Sequence, residues 1–321
     1  MVWTDYHLFL RKFHVTMSIT DFYEQFYKRR RQGELFPKRM DLAFANPQND
    51  DERRIKALID ELNAAEVMKQ EKQLFKQRAR LVENQRKLET KFTKSAEKEV
   101  GIASRAVDQA MRKISDARRT EAKERDSRIF PNWYAPVLFF EDGELKLLPM
   151  RYHCRPAGMP ASSDWVIDKV TKKKTISGKY NARRDNLEKF WRKQFGYTHG
   201  IAVMSSFYEN VPRHKNEGRA LAPGEKEENM ILHFNPQPAH DMFVACLWSY
   251  WKEGDKDLYS FAAITDEPPP EIAAAGHDRC IIPIKEHNID AWLRPNPKDL
   301  DAMHAILDDR DRPFYEYQLA A

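Results

Sequence analysis

The chain lacks any apolar run near the ~18–20 residues that a bilayer-spanning helix needs, so no membrane partner is expected. Nor does it open with a basic segment followed by an apolar one, and no secretory signal is expected. Cysteine is scarce: Cys154, Cys246 and Cys280 are odd in number and scattered, which argues against a disulfide framework and for a reducing cytoplasm. A Gly-rich phosphate loop, a His-Glu-x-x-His helix and a Cys-x-x-Cys pair are all missing. Their absence removes the common nucleotide, zincin and zinc-ribbon readings, and no cofactor or metal is expected. Neither sign of charge dominates, with 54 Lys+Arg against 49 Asp+Glu. The net charge of +5 is compatible with polyanion binding but does not demand it. There is no internal repeat.

What the chain does contain is 18 Phe, 12 Tyr and 7 Trp in 321 residues, enough for a sizeable core in one or two domains. Residues 51–128 stand apart: no proline, no Tyr or Trp, Gly101 as the only glycine, and 21 Lys+Arg against 15 Asp+Glu. Apolar residues recur there at helical spacing, through Ile55, Leu58, Ile59 and Leu62, then Leu74, Leu81 and Leu88, then Ile102, Ala106, Ala110 and Ile114. The pattern predicts a long helical hairpin that breaks near 90–95, with Thr93 or Ser95 as N-cap and Glu97 and Glu99 in the first turn. A basic arm for nucleic acid or a partner is one reading. A solvated helical pair closing on its own seam is favoured, because the two charge signs are interspersed.

From Ile129 onward short β-rich runs alternate with Gly, Pro and Asp. Residues 136–141 and 144–149 flank Asp142-Gly143, the dipeptide of a type I′ hairpin. Further strands are predicted at 199–205, 230–234, 242–248, 258–265 and 280–284, with helical pattern at 185–194, near Ile272 and near 288–293. A polar excursion spans 213–229, and the end of the chain adds one short helix and an extended Tyr315-Glu316-Tyr317. The expected class is α+β: an antiparallel β-rich domain over 1–298, interrupted by a helical insertion at 48–125, with a tail at 299–321.

Several groups could carry chemistry. His153-Cys154 and His277-x-x-Cys280 offer two thiolates and two imidazoles, and Cys154 with His277 would make a nucleophilic dyad, the basis of a thiol or metal-assisted peptidase. Between Thr171 and Gln194, nine Lys or Arg face two acids, with Tyr180, Phe190 and Trp191 interleaved. That mixture suits a single strand, whose bases stack on aromatic faces while cations follow phosphates, and suits equally a basic loop followed by an amphipathic helix that buries Leu187 and Phe190. Three polar clusters stand at the edges of apolar elements: Asn181-Ala182-Arg183, Phe207-Tyr208-Glu209 and His277-Asp278-Arg279. A partly desolvated carboxylate such as Glu209 suits general acid or base work, and histidine exchanges protons near neutral pH.

The order and surroundings of these clusters, together with Tyr134-Ala135-Pro136, Ala263-Ile264-Thr265 and the Ile-Ile-Pro strand after Arg279, resemble the SOS-response-associated peptidase (SRAP) family of abasic-site-processing proteins over about residues 129–295. Asp5-Tyr6 and the helical segment look like a longer bacterial branch with an insertion. The resemblance implies a DNA-damage protein that binds single-stranded DNA and captures the ring-opened aldehyde of an abasic sugar with an N-terminal cysteine, its amine and thiol closing a thiazolidine. Such a protein acts in the cytoplasm, at the nucleoid, as a crosslinking or abasic-site lyase enzyme with a nominal peptidase activity, and a monomer is expected. Carried over, Asn181 would hold the opened sugar, Glu209 would position the amine or move protons, and His277 would assist ring opening and reversal. Arg183, Arg184 and Arg279 would contact DNA, with Tyr152 where the family usually has Trp. Residue 2 is Val, so the expectation is a Met-Cys leader a few residues upstream of the written start; without it, an α-amine still forms an imine but no stable ring. A partner at the helical insertion, making the protein an adaptor, is the remaining alternative.

Overall fold

A computed structural model describes residues 2–3, 35–42, 44–48 and 50–320. The elements are β1 (Val2–Trp3), α1 (Lys38–Leu42), α2 (Asp50–Thr90), α3 (Lys94–Arg118), β2 (Tyr134–Glu141), β3 (Glu144–Tyr152), β4 (Trp165–Ile167), β5 (Lys174–Ile176), β6 (Asn181–Arg183), β7 (His199–Pro212), α4 (Arg213–Asn216), β8 (Asn229–Gln237), β9 (Met242–Glu253), β10 (Lys256–Asp266), α5 (Pro270–Ala274), β11 (Cys280–Ile281), β12 (Pro283–Ile284), α6 (Ile289–Leu293), α7 (Leu300–Asp308) and β13 (Phe314–Leu319). The class is α+β, as the sequence predicts. Two compact units form, residues 1–40 with 124–321, and residues 41–123.

The larger unit is built on strands that close on themselves. β9 pairs with β10, β10 with β3, β3 with β2, β2 with β7, and β7 returns to β9. The β10–β3 pairing is parallel and the others are antiparallel. Closure leaves no edge in the ring and explains why β2 and the first half of β7 read as unbroken apolar runs: both faces are covered. Leu138, Phe139, Ile201, Phe261 and Ala262 are fully buried there. Each such large side chain contributes about 1.5–3 kcal/mol by leaving water. The Asp142-Gly143 turn has φ of 54° and 82°, the double positive φ of a type I′ hairpin, with Glu141 opposite Glu144.

Several strands outrun their predicted lengths, β7 most of all. β7 continues for a second half, Phe207–Pro212, which leaves the ring and pairs with β8; β13 then covers the outer edge of β8. The helical pattern at 185–194 is a short 3₁₀ turn followed by turns, its hydrogen bonds mixing spacings, with both Phe190 and Trp191 donating to Asn186 O. Leu187, Trp191 and Phe195, four apart, face inward, whereas Phe190 is 42% exposed and not buried as predicted.

In the smaller unit α2 and α3 form the predicted hairpin. Thr93 is the N-cap, its side chain accepting from Ala96 N at 3.2 Å. α3 buries Ala96, Ala103 and Ala110 at one heptad position and Val107 and Ile114 at another. Ile102 and Ala106, predicted inside, are half-buried. The α2 seam is more polar than predicted: Gln70, Gln77 and Asn84 are buried, with Leu74, Leu81 and Leu88 half-buried beside them. Arg80–Glu99 and Arg118–Glu71 ion pairs tie the two helices together.

Candidate functional site

Four separated segments meet at the end of β10. β6 runs parallel to it, setting Asn181 beside Ala263 and Arg183 beside Thr265, and β11 runs antiparallel on from Thr265–Ile281. The loop ahead of β11 brings His277 against the second half of β7, where its Nε2 lies 3.3 Å from Glu209 Oε2. The result is a cleft of about 410 Å3, walled by Asn181, Glu209, Thr265, His277 and Arg279 with an aromatic rim.

Backbone geometry fixes each wall. Gly276 has φ +94°, and a Cβ there would meet Lys215 Cβ at 2.9 Å, Val211 Cγ1 at 3.0 Å and Asn216 N at 3.1 Å. Only glycine lets the loop lie this close to the end of β7. Asn216 Nδ2 donates to Ala275 O at 3.0 Å and closes the clamp. Behind Asn181, the segments at 153–155 and 177–179 are laced together: Cys154 N donates to Lys179 O, and His153 bonds Ser177 Oγ. Arg151 and Arg155 both reach Asp164, at 2.9 and 2.6 Å.

The polar groups are set for proton transfer. His277 Nδ1 donates to Arg279 O at 2.8 Å, which leaves Nε2 to face Glu209. The two groups form a close carboxylate–imidazole contact, within reach of a proton passing from one to the other. Burial pushes the Glu209 carboxyl above its ordinary value, with His277 pulling the other way. Tyr152 donates to Asn181 Oδ1 at 3.1 Å, which turns the Asn181 amide so that its NH2 is the group on offer. Burial, with Glu209 adding to it, holds the Tyr152 phenol well above its usual range and so keeps it a donor. Two buried polar atoms of the wall, Thr265 Oγ1 and Arg279 Nε, have no partner among the described residues.

The predicted site residues divide. Asn181, Glu209 and His277 converge, and Arg279 joins them. Arg183 lies at the exposed end of β6, paired with Asp185 at 2.8 Å. Arg184 points away, held by Asp266 at 3.2 Å and Asp308 at 2.6 Å. Tyr152 is buried, tilted on Phe261 and edge-on to Tyr180, so its ring supports Asn181 and presents no face for a base.

Sequence reasoning missed Arg128 and Phe130. The Arg128 guanidinium lies 3.7 Å from the centre of the Tyr208 ring, on which His233 also stacks at 4.1 Å with the ring planes 7° apart. Phe130 is exposed on the same rim. An Arg-x-aromatic stretch where a helical insertion ends is the signal that could have found them, and it belongs to no motif.

The cysteines take no part. Cys154 is buried beside Ser260, and burial pushes its thiol up to about 12; Cys280 rises to about 12 and Cys246 well above its usual range for the same reason. His277 is engaged by Arg279 and Glu209, not by Cys154, and both ring nitrogens of His153 are bound, to Asn132 and Ser177. Neither the Cys154–His277 dyad nor the four-ligand zinc site assembles, and no cluster of three or more His, Cys, Asp or Glu is placed to hold a metal among the described residues. A second cavity, about 590 Å3, lies between Pro268–Pro270 and Phe314, but its Arg310 is already taken by Asp266.

A family model described as SOS response associated peptidase (SRAP) matches residues 77–319. The chain belongs to this family. Among solved structures, a protein from Bordetella bronchiseptica is 16% identical, the match covering 61% of this chain and 87% of that one with a TM-score of 0.43. A phage-related protein from the same organism is 15% identical over 64% and 85% of the two chains, with a TM-score of 0.43. A protein from Bacteroides thetaiotaomicron is 13% identical over 59% and 74%, with a TM-score of 0.40. No match was found among curated proteins. SRAP membership supports a function associated with the SOS response to DNA damage. Among the described residues no helix is long and apolar enough to cross a membrane. Asp5-Tyr6, which the resemblance drew on, lies outside the described residues.

Proposed function

We propose that the cleft binds single-stranded DNA at an abasic site and processes the ring-opened sugar through an imine. The observation that carries this reading is the 3.3 Å Glu209–His277 contact, a carboxylate and an imidazole set in one polar cleft with the Asn181 amide. An amine adds to the sugar aldehyde, forming the C–N bond, and the carbinolamine then loses water to give C=N. Glu209 takes the proton that the nitrogen sheds and passes it to the alkoxide, giving the hydroxyl; a proton from His277 then goes to that hydroxyl as water leaves, and the remaining iminium N–H proton returns to the pair. Asn181 donates to a sugar oxygen, Arg279 and the exposed Arg183 take phosphates, and Phe130 is the face on which a flanking base stacks.

The amine comes from the N-terminal side of β1. That strand pairs antiparallel with β7, Trp3 opposite Met204 and Val2 opposite Ser206, so its direction from Trp3 to Val2 leads toward Glu209. An α-amine alone takes the product to an imine; an adjacent cysteine thiol would close the ring.

The test is a denaturing gel with a single-stranded oligonucleotide carrying one abasic site. The chain is expected to give an adduct only when borohydride reduces the imine, and none with the tetrahydrofuran analogue, which has no aldehyde. Val2→Cys, checked by intact mass for loss of Met1, is expected to give a heat-stable adduct without borohydride. Absence of any trapped adduct overturns the covalent reading. Cys154→Ala is expected to leave trapping within twofold of the parent while costing about 1–2 kcal/mol of stability through the cavity it opens, read by trapping yield and urea denaturation.

A further inference from the structure

α2 carries two heptad-spaced seams, and α3 covers one of them. Gln70, Gln77 and Asn84 face α3. Met68, Phe75 and Val82 are offset from those three by two residues, about 200° around the helix, and are therefore on the opposite face. They are 58%, 73% and 45% exposed, with the exposed Ala79 completing the stripe. Scattered apolar side chains on a surface need no explanation, but a stripe that keeps coiled-coil register over three layers does. A shallow concavity of about 790 Å3 runs along it from Phe75 to Thr90.

The charges beside the stripe are unbalanced. Glu71 is engaged by Arg118, and Glu83 by Lys87 at 2.5 Å. Lys72, Lys76 and Arg86 have no carboxylate partner among the described residues, and Arg78 contacts only Met111 Sδ, at 3.9 Å. Glu89 alone opposes them. A second copy of the chain would bring the same cations against them, and like charges across a helix pair are destabilising.

We propose that this face of α2 docks an acidic amphipathic helix of a partner protein, whose Leu/Ile stripe covers Met68, Phe75 and Val82 and whose Glu or Asp flanks pair with Lys72, Lys76, Arg78 and Arg86. From Met68 to Val82 the stripe is about 21 Å long at 1.5 Å per residue, so a partner helix of about 15–20 residues spans it. The surface lies within residues 41–123 and does not depend on the chemistry of the cleft.

The probe is a fluorescein-labelled 21-residue helical peptide with leucines in heptad register and glutamate flanks, compared with a twin whose flanks are lysine, in titrations of the full-length chain read by anisotropy. The glutamate peptide is expected to bind at least tenfold more tightly than its twin, and to weaken as salt is raised. The double variant Phe75→Ser/Val82→Ser, which removes apolar surface without adding charge at exposed positions, is expected to lose at least tenfold while circular dichroism and abasic-DNA trapping stay unchanged. Equal binding of the two peptides, or binding by neither, overturns the proposal. So does light scattering that shows a dimer which the double variant converts to monomer, since the occupant is then a second copy. Loss of single-stranded DNA binding in that variant overturns it too, because the face is then a nucleic-acid surface.

Discussion

Glu209→Gln is expected to lower the rate of borohydride-trapped adduct formation by about 10²–10³-fold, the range of a lost general acid–base group. Affinity for undamaged single-stranded DNA should stay within twofold. Gln keeps the volume, so the cleft retains its shape and loses only the ionisable carboxyl. Stability should move in the opposite direction. Burial holds the Glu209 carboxyl above its ordinary 4.5. The folded chain therefore binds this proton more tightly than the unfolded chain, and stability falls as pH rises from the ordinary value through the raised one. The Gln variant escapes that loss. It should melt above the parent at pH 8 and show little difference at pH 4. A variant that loses both trapping and stability would mean that Glu209 is structural.

Gly276→Ala should have the largest effect on the fold of the site. The new Cβ meets Lys215 Cβ, Val211 Cγ1 and Asn216 N at 2.9–3.1 Å, none of which is the far end of a long flexible side chain, and φ +94° is itself strained for alanine. Overpacking and positive-φ strain each cost about 1–3 kcal/mol, so a total of about 2–5 kcal/mol is expected. To escape the clash, the loop must lift from β7, and that motion carries His277 away from Glu209. Trapping should fall with stability, and the nuclear magnetic resonance signal of His277 should lose its dependence on Glu209. Intact trapping in a destabilised Gly276→Ala variant would show that the 3.3 Å contact is not needed for the chemistry.

Much of the framework was legible because it rests on local chemistry. Asp142-Gly143 announced its hairpin through the φ values it tolerates, and Thr93 announced a helix start through its side-chain oxygen. The second half of β7 was not legible, because it carries Glu209 and Asn210 where a strand pattern expects apolar residues, and its pairing with β8 is what holds it extended. The turns at 187–197 misled for the converse reason: Leu187, Trp191 and Phe195 keep helical spacing while the hydrogen bonds do not.

Within the cleft, residue types suggested acid–base chemistry at Glu209 and His277, but only family resemblance grouped them with Asn181. Their contact depends on a parallel β6–β10 pairing and a close approach at Gly276, neither of which leaves a periodic trace. Tyr152 was read as a DNA-binding residue because sequence cannot show that it lies beneath Asn181. Arg184 was read as a DNA contact because sequence cannot show that Asp266 and Asp308 already hold it.

The most direct test of the central claim is a crystal structure of the borohydride-trapped complex with single-stranded DNA bearing one abasic site. The opened sugar is expected in the cleft, within hydrogen-bond distance of Asn181 Nδ2, with Glu209 and His277 flanking the reduced C–N bond and Arg279 on a neighbouring phosphate. A sugar lodged against Pro268–Pro270, or DNA bound along α2 with this cleft empty, would contradict the account.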